Sequence, residues 1–112
     1  GYVTYLHVDV FGAGMCFAAF VSWHCNELPE KDWERISSYL RKILAPVVLH
    51  NLDQDVFRDL ILHDKKTQNQ AVNFIMLKKL GASFIQYETP VEKLWDEFKN
   101  FTALYPEFVE LR

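Results

Sequence analysis

Four histidines, two cysteines and one lysine pair are the side chains here best suited to chemistry. They are His7, His24, His50 and His63, Cys16 and Cys25, and the lysines of the run Asp64-Lys65-Lys66. An imidazole serves as a metal ligand when it is neutral and held on a rigid element. His7 opens a long apolar segment, where a polar side chain needs a partner. One imidazole cannot hold a metal alone, so the other ligands of a His7 site must lie elsewhere in the protein. No HExxH sequence and no His/Cys set with zinc-finger spacing is present. His24 and His63 fall near helix ends, where they interact with the dipole. His50 lies in an apolar loop and suits the capping of a backbone group. Two adjacent lysines can reach a phosphate or a carboxylate through charge-assisted hydrogen bonds. The plainer reading of Lys65 and Lys66 is a helix C-terminus offset by cations. Cys16 and Cys25 form no CxxC and read as buried, inert thiols.

The elements that must position these groups can be read from the apolar spacing. From His7 to Trp23 nearly every residue is apolar, with Asp9 and Ser22 the polar exceptions. Such a helix is buried on all sides, which suggests that part of it faces another domain. Gly12 and Gly14 within it imply close approach of another backbone. Asn26 ends this helix. Pro29 suits the first position of the next, with Glu30 and Asp32 in its first turn. Trp33, Ile36, Leu40 and Ile43 give that helix an apolar face over 30–44 before Pro46 stops it. Residues 45–52 read as an apolar loop or a short extended piece. Asp53 is an N-cap for a third helix over 54–65. Strands over 72–77 and 83–87 flank a turn at Lys78-Lys79-Leu80-Gly81. Thr89, Pro90 and Glu92 read as a capping box with Pro at the first helical position. A fourth helix follows, carrying Leu94, Trp95, Phe98 and Phe101, and Pro106 opens one last turn. The expected fold is mainly α with a small β-hairpin, in one domain over residues 1–112.

Composition narrows the function classes. The chain has 112 residues, 50% of them hydrophobic, with 12 Lys and Arg against 15 Asp and Glu for a net charge of −3. This excludes a disordered chain or a collagen, and an acidic domain without a basic stripe is a poor nucleic-acid binder. The longest apolar run, Met15 to Val21, is far short of the roughly 20 residues a membrane helix needs. Two cysteines without disulfide spacing point to a reducing, cytoplasmic compartment. A chain opening on Gly1 reads as processed, as carrying a tag scar or as part of a longer protein. No GxGxxG, P-loop or GxSxG sequence is present, so no self-contained nucleotide or hydrolase site is expected.

The order of these pieces is more specific than any one of them. HVDVFGAGM (His7–Met15) resembles the HGEAVAIGM-type element of the 3-dehydroquinate synthases, of the sugar phosphate cyclase superfamily. The helix beginning in LPEKDWERI and the later stretch LILHDKKTQNQAVNFIMLKKLG are similar to the family's next helix and to its DKK element with the strand that follows. The likeness runs from His7 to Phe101 and corresponds to the last third of a complete family member. Val8 and Asp9 stand where the family has Gly and Glu.

The resemblance implies a C-terminal helical domain that binds metal and substrate, in an enzyme that is a phosphate lyase of aromatic amino-acid biosynthesis. Such enzymes use NAD and a divalent metal, usually zinc. They convert 3-deoxy-D-arabino-heptulosonate 7-phosphate, a sugar phosphate, into 3-dehydroquinate and phosphate in the shikimate pathway. His7 matches the metal-ligating His of the HGE element. Lys65 and Lys66 match the DKK lysines, one of which would hold an anionic group of the substrate. The NAD-binding domain and the other ligands would lie upstream, so neither cofactor is expected to bind tightly to this chain alone. A homodimer is expected, with no nucleic-acid or membrane partner. The alternatives are another cyclase of the same fold, such as 2-deoxy-scyllo-inosose synthase, and a non-catalytic helical interaction module.

Overall fold

A computed structural model describes the backbone of residues 2–61, 71–79 and 82–112, and the side chains within 12–59, 77–78 and 89–112. Four helices, α1 (Tyr2–His24), α2 (Glu30–Ile43), α3 (Gln54–Ile61) and α4 (Val91–Leu104), make the domain mainly α, as expected. They are joined by β1 (Val47–Leu49), β2 (Ala71–Lys79), β3 (Ala82–Pro90) and β4 (Val109–Leu111).

Helix α1 ends where Asn26 takes a left-handed φ of 63°. The Glu27 N–H bonds the Ser22 carbonyl at 2.9 Å and the Asn26 N–H bonds the Trp23 carbonyl at 3.0 Å. This 6→1 and 5→2 pair is a Schellman closure, with Asn in the place Gly more often takes. Pro29, with ψ 145°, is the cap residue of α2 rather than its first helical position. The acids Glu30 and Asp32 in the first turn of α2, and Arg41 and Lys42 in its last, complement the dipole. Asp53 caps α3 as expected, its Oδ1 accepting the Val56 N–H at 2.9 Å.

Further expectations need correction. The capping box at α4 is displaced, because Pro90 with ψ 135° is the cap residue and Thr89 belongs to β3. Lys78 and Lys79 are strand residues of β2, not part of a turn. The segment after Pro106 passes through a turn into β4, which pairs in parallel with β1, Val47 opposite Val109 and Leu49 opposite Leu111.

Strands β2 and β3 form the expected antiparallel hairpin, with register shifts between Val72 and Phe74 and between Leu77 and Lys79. The end of α3 expected at 62–65, with His63 in it, and the tip of the hairpin at 80–81 lie outside the described residues.

The core is aromatic. Phe17, Phe20, Trp33, Phe57, Phe98, Phe101 and Phe108 are all buried, joined by Leu28, Leu94, Val91 and Val109. Most of the rings pack edge-on or tilted, Phe17 meeting Phe98 with centroids 5.0 Å apart at 88° and Phe20 meeting Phe101 at 5.3 Å, while Phe101 and Phe108 stack at 6.2 Å. Such geometry sets the positive ring edge against a neighbour's negative face, worth about 0.5–1.5 kcal/mol per pair beyond area burial. Because α1 supplies Phe17 and Phe20, this chain itself covers one face of the apolar helix. Met15 on the same helix is 56% exposed. A Cβ at Gly12 would collide with the Leu44 side chain, so the close approach there is made by a side chain following α2, not by a backbone. At Gly14 nothing among the described residues lies within 4 Å of the same position.

Candidate functional site

His7 lies in the N-terminal half of α1, one and a half turns before Gly12. The helix is therefore the rigid element that a ligating imidazole needs, and nothing further is described of the His7 side chain. Lys65 and Lys66 lie outside the described residues. The structure thus places His7 on a long helix, and where the lysine pair lies relative to it falls outside the described residues.

The remaining histidines and cysteines are accounted for more plainly. His24 ends α1, and its Nδ1 lies 2.8 Å from the Oε2 of Glu97 on α4. Its ring also lies against Phe20, centroids 5.0 Å apart, so His24 fastens α1 to α4. His50 is exposed just after β1. Cys16 is fully buried, and loss of solvation pushes its thiol up from 9.0 to about 12 despite the nearby Arg41 charge. Cys25 is raised as well, chiefly by burial and against the pull of Lys93. Thiols held protonated are poor nucleophiles and poor metal ligands. Both are free, as expected.

Among the described residues, no three of His, Cys, Asp or Glu come together to hold a metal ion. These residues therefore do not by themselves fit a zinc site. No helix among them is long and apolar enough to cross a membrane.

One surface feature was not legible in the sequence. A shallow cleft opens between the end of α1, α2 and Tyr105, rimmed by Glu30, Glu34 and Arg41. Its aromatic wall is already occupied by its own rings. Trp23 and Trp33 stack at 5.5 Å and 6°, and Tyr105 meets Trp33 edge-on at 5.4 Å. Arg41 is drawn away to Glu107 at 3.2 Å and over the Phe108 ring. These groups come from three separate elements, so no local spacing announces them.

Sequence comparison defines the relationship that these pieces suggest. No family model matches the chain, and no solved structure gives a significant match. Among curated proteins it is 30% identical over 103 residues to the 3-dehydroquinate synthase of Nitrosospira multiformis, which covers 92% of this chain and 28% of that protein. It is 33% identical over 94 residues to that of Geotalea uraniireducens, 84% of this chain and 26% of the relative. To that of Campylobacter curvus it is 32% identical over 102 residues, 88% of this chain and 30% of the relative. The chain is similar to the C-terminal portion of 3-dehydroquinate synthases. It spans between a quarter and a third of their length.

Proposed function

We propose that this chain is the C-terminal helical portion of a 3-dehydroquinate synthase-like phosphate lyase. What supports the reading is identity of 30–33% to enzymes of that name across most of the chain. In it, α1 presents His7 as one ligand of a metal set completed by the rest of the protein. Lys65 or Lys66 holds an anionic group of the sugar phosphate and fixes its orientation through a charge-assisted hydrogen bond. NAD, bound elsewhere in the complete enzyme, supplies the hydride chemistry. The complete enzyme acts as a cytoplasmic homodimer.

The test uses the full-length protein. His7→Ala should lower metal content and turnover together while the far-UV spectrum is kept. Stoichiometric zinc with normal turnover would refute the ligand assignment. Lys65→Met and Lys66→Met should differ. A charge-assisted bond of roughly 1.5–3 kcal/mol lost at the functional lysine lowers kcat/KM by about 10- to 150-fold. Equal, small effects at both positions reduce the pair to a solvated helix end. Val8 and Asp9, in place of Gly and Glu beside His7, favour one other reading, a non-catalytic helical module. Measured cyclisation of the sugar phosphate by the full-length protein decides against it.

A further inference from the structure

We infer that the face of α1 at Gly14, Met15 and Ala18 seats a helix of the rest of the protein, one that passes close enough over Gly14 to leave no room for a side chain there. The inference rests on the reading of this chain as one portion of a longer enzyme. Gly14 and Met15 are exposed and Ala18 is half-buried. At about 100° per residue the three share an arc of about 100°, the width of a packing stripe. Ser22 lies on the same line, one turn beyond Ala18. It is buried there, and its Oγ accepts the Leu77 N–H of β2 at 2.8 Å. This chain therefore covers the C-terminal end of the line and leaves the turn before it open. Apart from the Cys16 thiol, Ser22 is also the only polar side chain between Gly12 and Trp23. A helix that faces solvent carries its polar residues outward. Here the polar residue is covered and the uncovered ones are apolar, so the open turn suits a partner rather than water.

The two glycines of α1 differ in what this chain explains. A Cβ at Gly12 would collide with the Leu44 side chain, so the packing of this chain itself requires glycine there. At Gly14 nothing among the described residues lies within 4 Å of the same position. Glycine inside a helix is less favourable than alanine, because it gives up more backbone freedom on folding. Nothing within the described part of this chain offsets that loss at Gly14. A second helix crossing at Gly14 and Ala18 does, since small residues four apart let two helix axes approach to about 8 Å. Met15 beside them is unbranched and adaptable, and fills the irregular gap such a crossing leaves. With no charged side chain between Gly12 and Trp23, the partner face must be apolar as well. The rest of the protein can supply it. The 3-dehydroquinate synthases this chain resembles are matched over only 26–30% of their length, so most of such a protein lies outside it.

The test uses the full-length protein carrying Met15→Cys. It is treated with a maleimide under native conditions and again in urea, and the labelled peptide is read by mass. A thiol covered by a packed helix reacts only through local opening, so native labelling should be at least about 10-fold slower than in the unfolded protein. Equal rates leave the face open to solvent and overturn the inference. Labelling is repeated across protein concentrations beside light scattering. Protection that disappears as the protein dissociates to monomers assigns the face to a second copy and overturns the inference too. Gly14→Leu in the full-length protein tests the close approach. Helix propensity alone raises the melting temperature, because leucine is the better helix former. A helix seated over Gly14 has no room for the side chain and should lower it by several degrees. A rise overturns the close approach. If Gly14→Leu does not fold, Gly14→Ala carries the same comparison with the smallest side chain. A wild-type protein that does not cyclise the sugar phosphate overturns the catalytic reading instead, and labelling at Met15→Cys still decides the docking.

Discussion

Replacing Phe20 by Ala tests whether this chain packs α1 by itself. Phe20 is 0% exposed. Its ring lies 5.0 Å from His24, 5.3 Å from Phe101 and 5.9 Å from Trp33, centroid to centroid. Those neighbours sit on α1, α4 and α2, so a cavity at Phe20 cannot close by moving one element. Buried Phe→Ala changes of this kind cost about 3–5 kcal/mol. With an unfolding entropy of roughly 2.1 cal/mol/K per residue, a chain of 112 residues loses about 4 °C in Tm per kcal/mol. The expected drop is therefore about 13–21 °C. Met15→Ala on the same helix is the control, because Met15 is 56% exposed and Ala is the better helix former. It should cost under about 1 kcal/mol, or roughly 4 °C. Thermal melts followed at 222 nm, with urea midpoints for variants too weak to melt cleanly, measure both. A Phe20→Ala shift no larger than that of Met15→Ala would refute the packing argument. It would mean that the buried face of α1 is not held by the rings of α2 and α4.

Two further outcomes follow from the same structure. Asp53→Ala should lower stability by about 0.5–2 kcal/mol in urea unfolding, and Asp53→Asn should recover most of it, because either side-chain oxygen can accept the Val56 N–H. With its thiol raised from 9.0 to about 12, Cys16 should resist alkylation at pH 8, where its thiolate fraction is about a thousandfold below that of an ordinary thiol. The unfolded chain ionises this thiol first, so its contribution to stability is present below pH 9 and is lost as pH rises toward 12. Equal labelling of Cys16 and Cys25 in the native protein would refute this account.

Elements whose signals are local were legible. The apolar run of α1, its Asn26 stop, the Trp33–Leu40 face of α2 and the Asp53 cap all act within a turn or two of their own sequence. What was missed depends on distant partners. Residues 45–52 read as a loop or a short extended piece because three residues show no periodicity, and what makes Val47–Leu49 a strand is its pairing with Val109–Leu111 at the other end of the chain. Lys78 and Lys79 carry a turn's polarity, yet the ladder to β3 extends through Lys79 opposite Ala82. At α4 the Thr-Pro-Val-Glu pattern fits a cap at either Thr89 or Pro90, and strand pairing takes Thr89 and Pro90 into β3. The proposed site is legible only as a likeness. His7, Lys65 and Lys66 are ordinary residues until their order along the chain is compared with that of a family, since no local rule separates a ligand from a cap.

The packing of α1 holds one half of a long helix far more firmly than its sequence alone requires. Its C-terminal half, from Cys16 to Trp23, is gripped by α2 and α4, closed by the Schellman bonds and pinned by His24 to Glu97. A helix propagates that constraint along its axis, because each residue adds one hydrogen bond to a rod already fixed. His7 lies about 22 Å along the axis from Ser22, at 1.5 Å per residue. On the proposed reading of His7 as a ligand, a small change in how the aromatic core seats α1 is carried to that end of the helix as a swing of the rod.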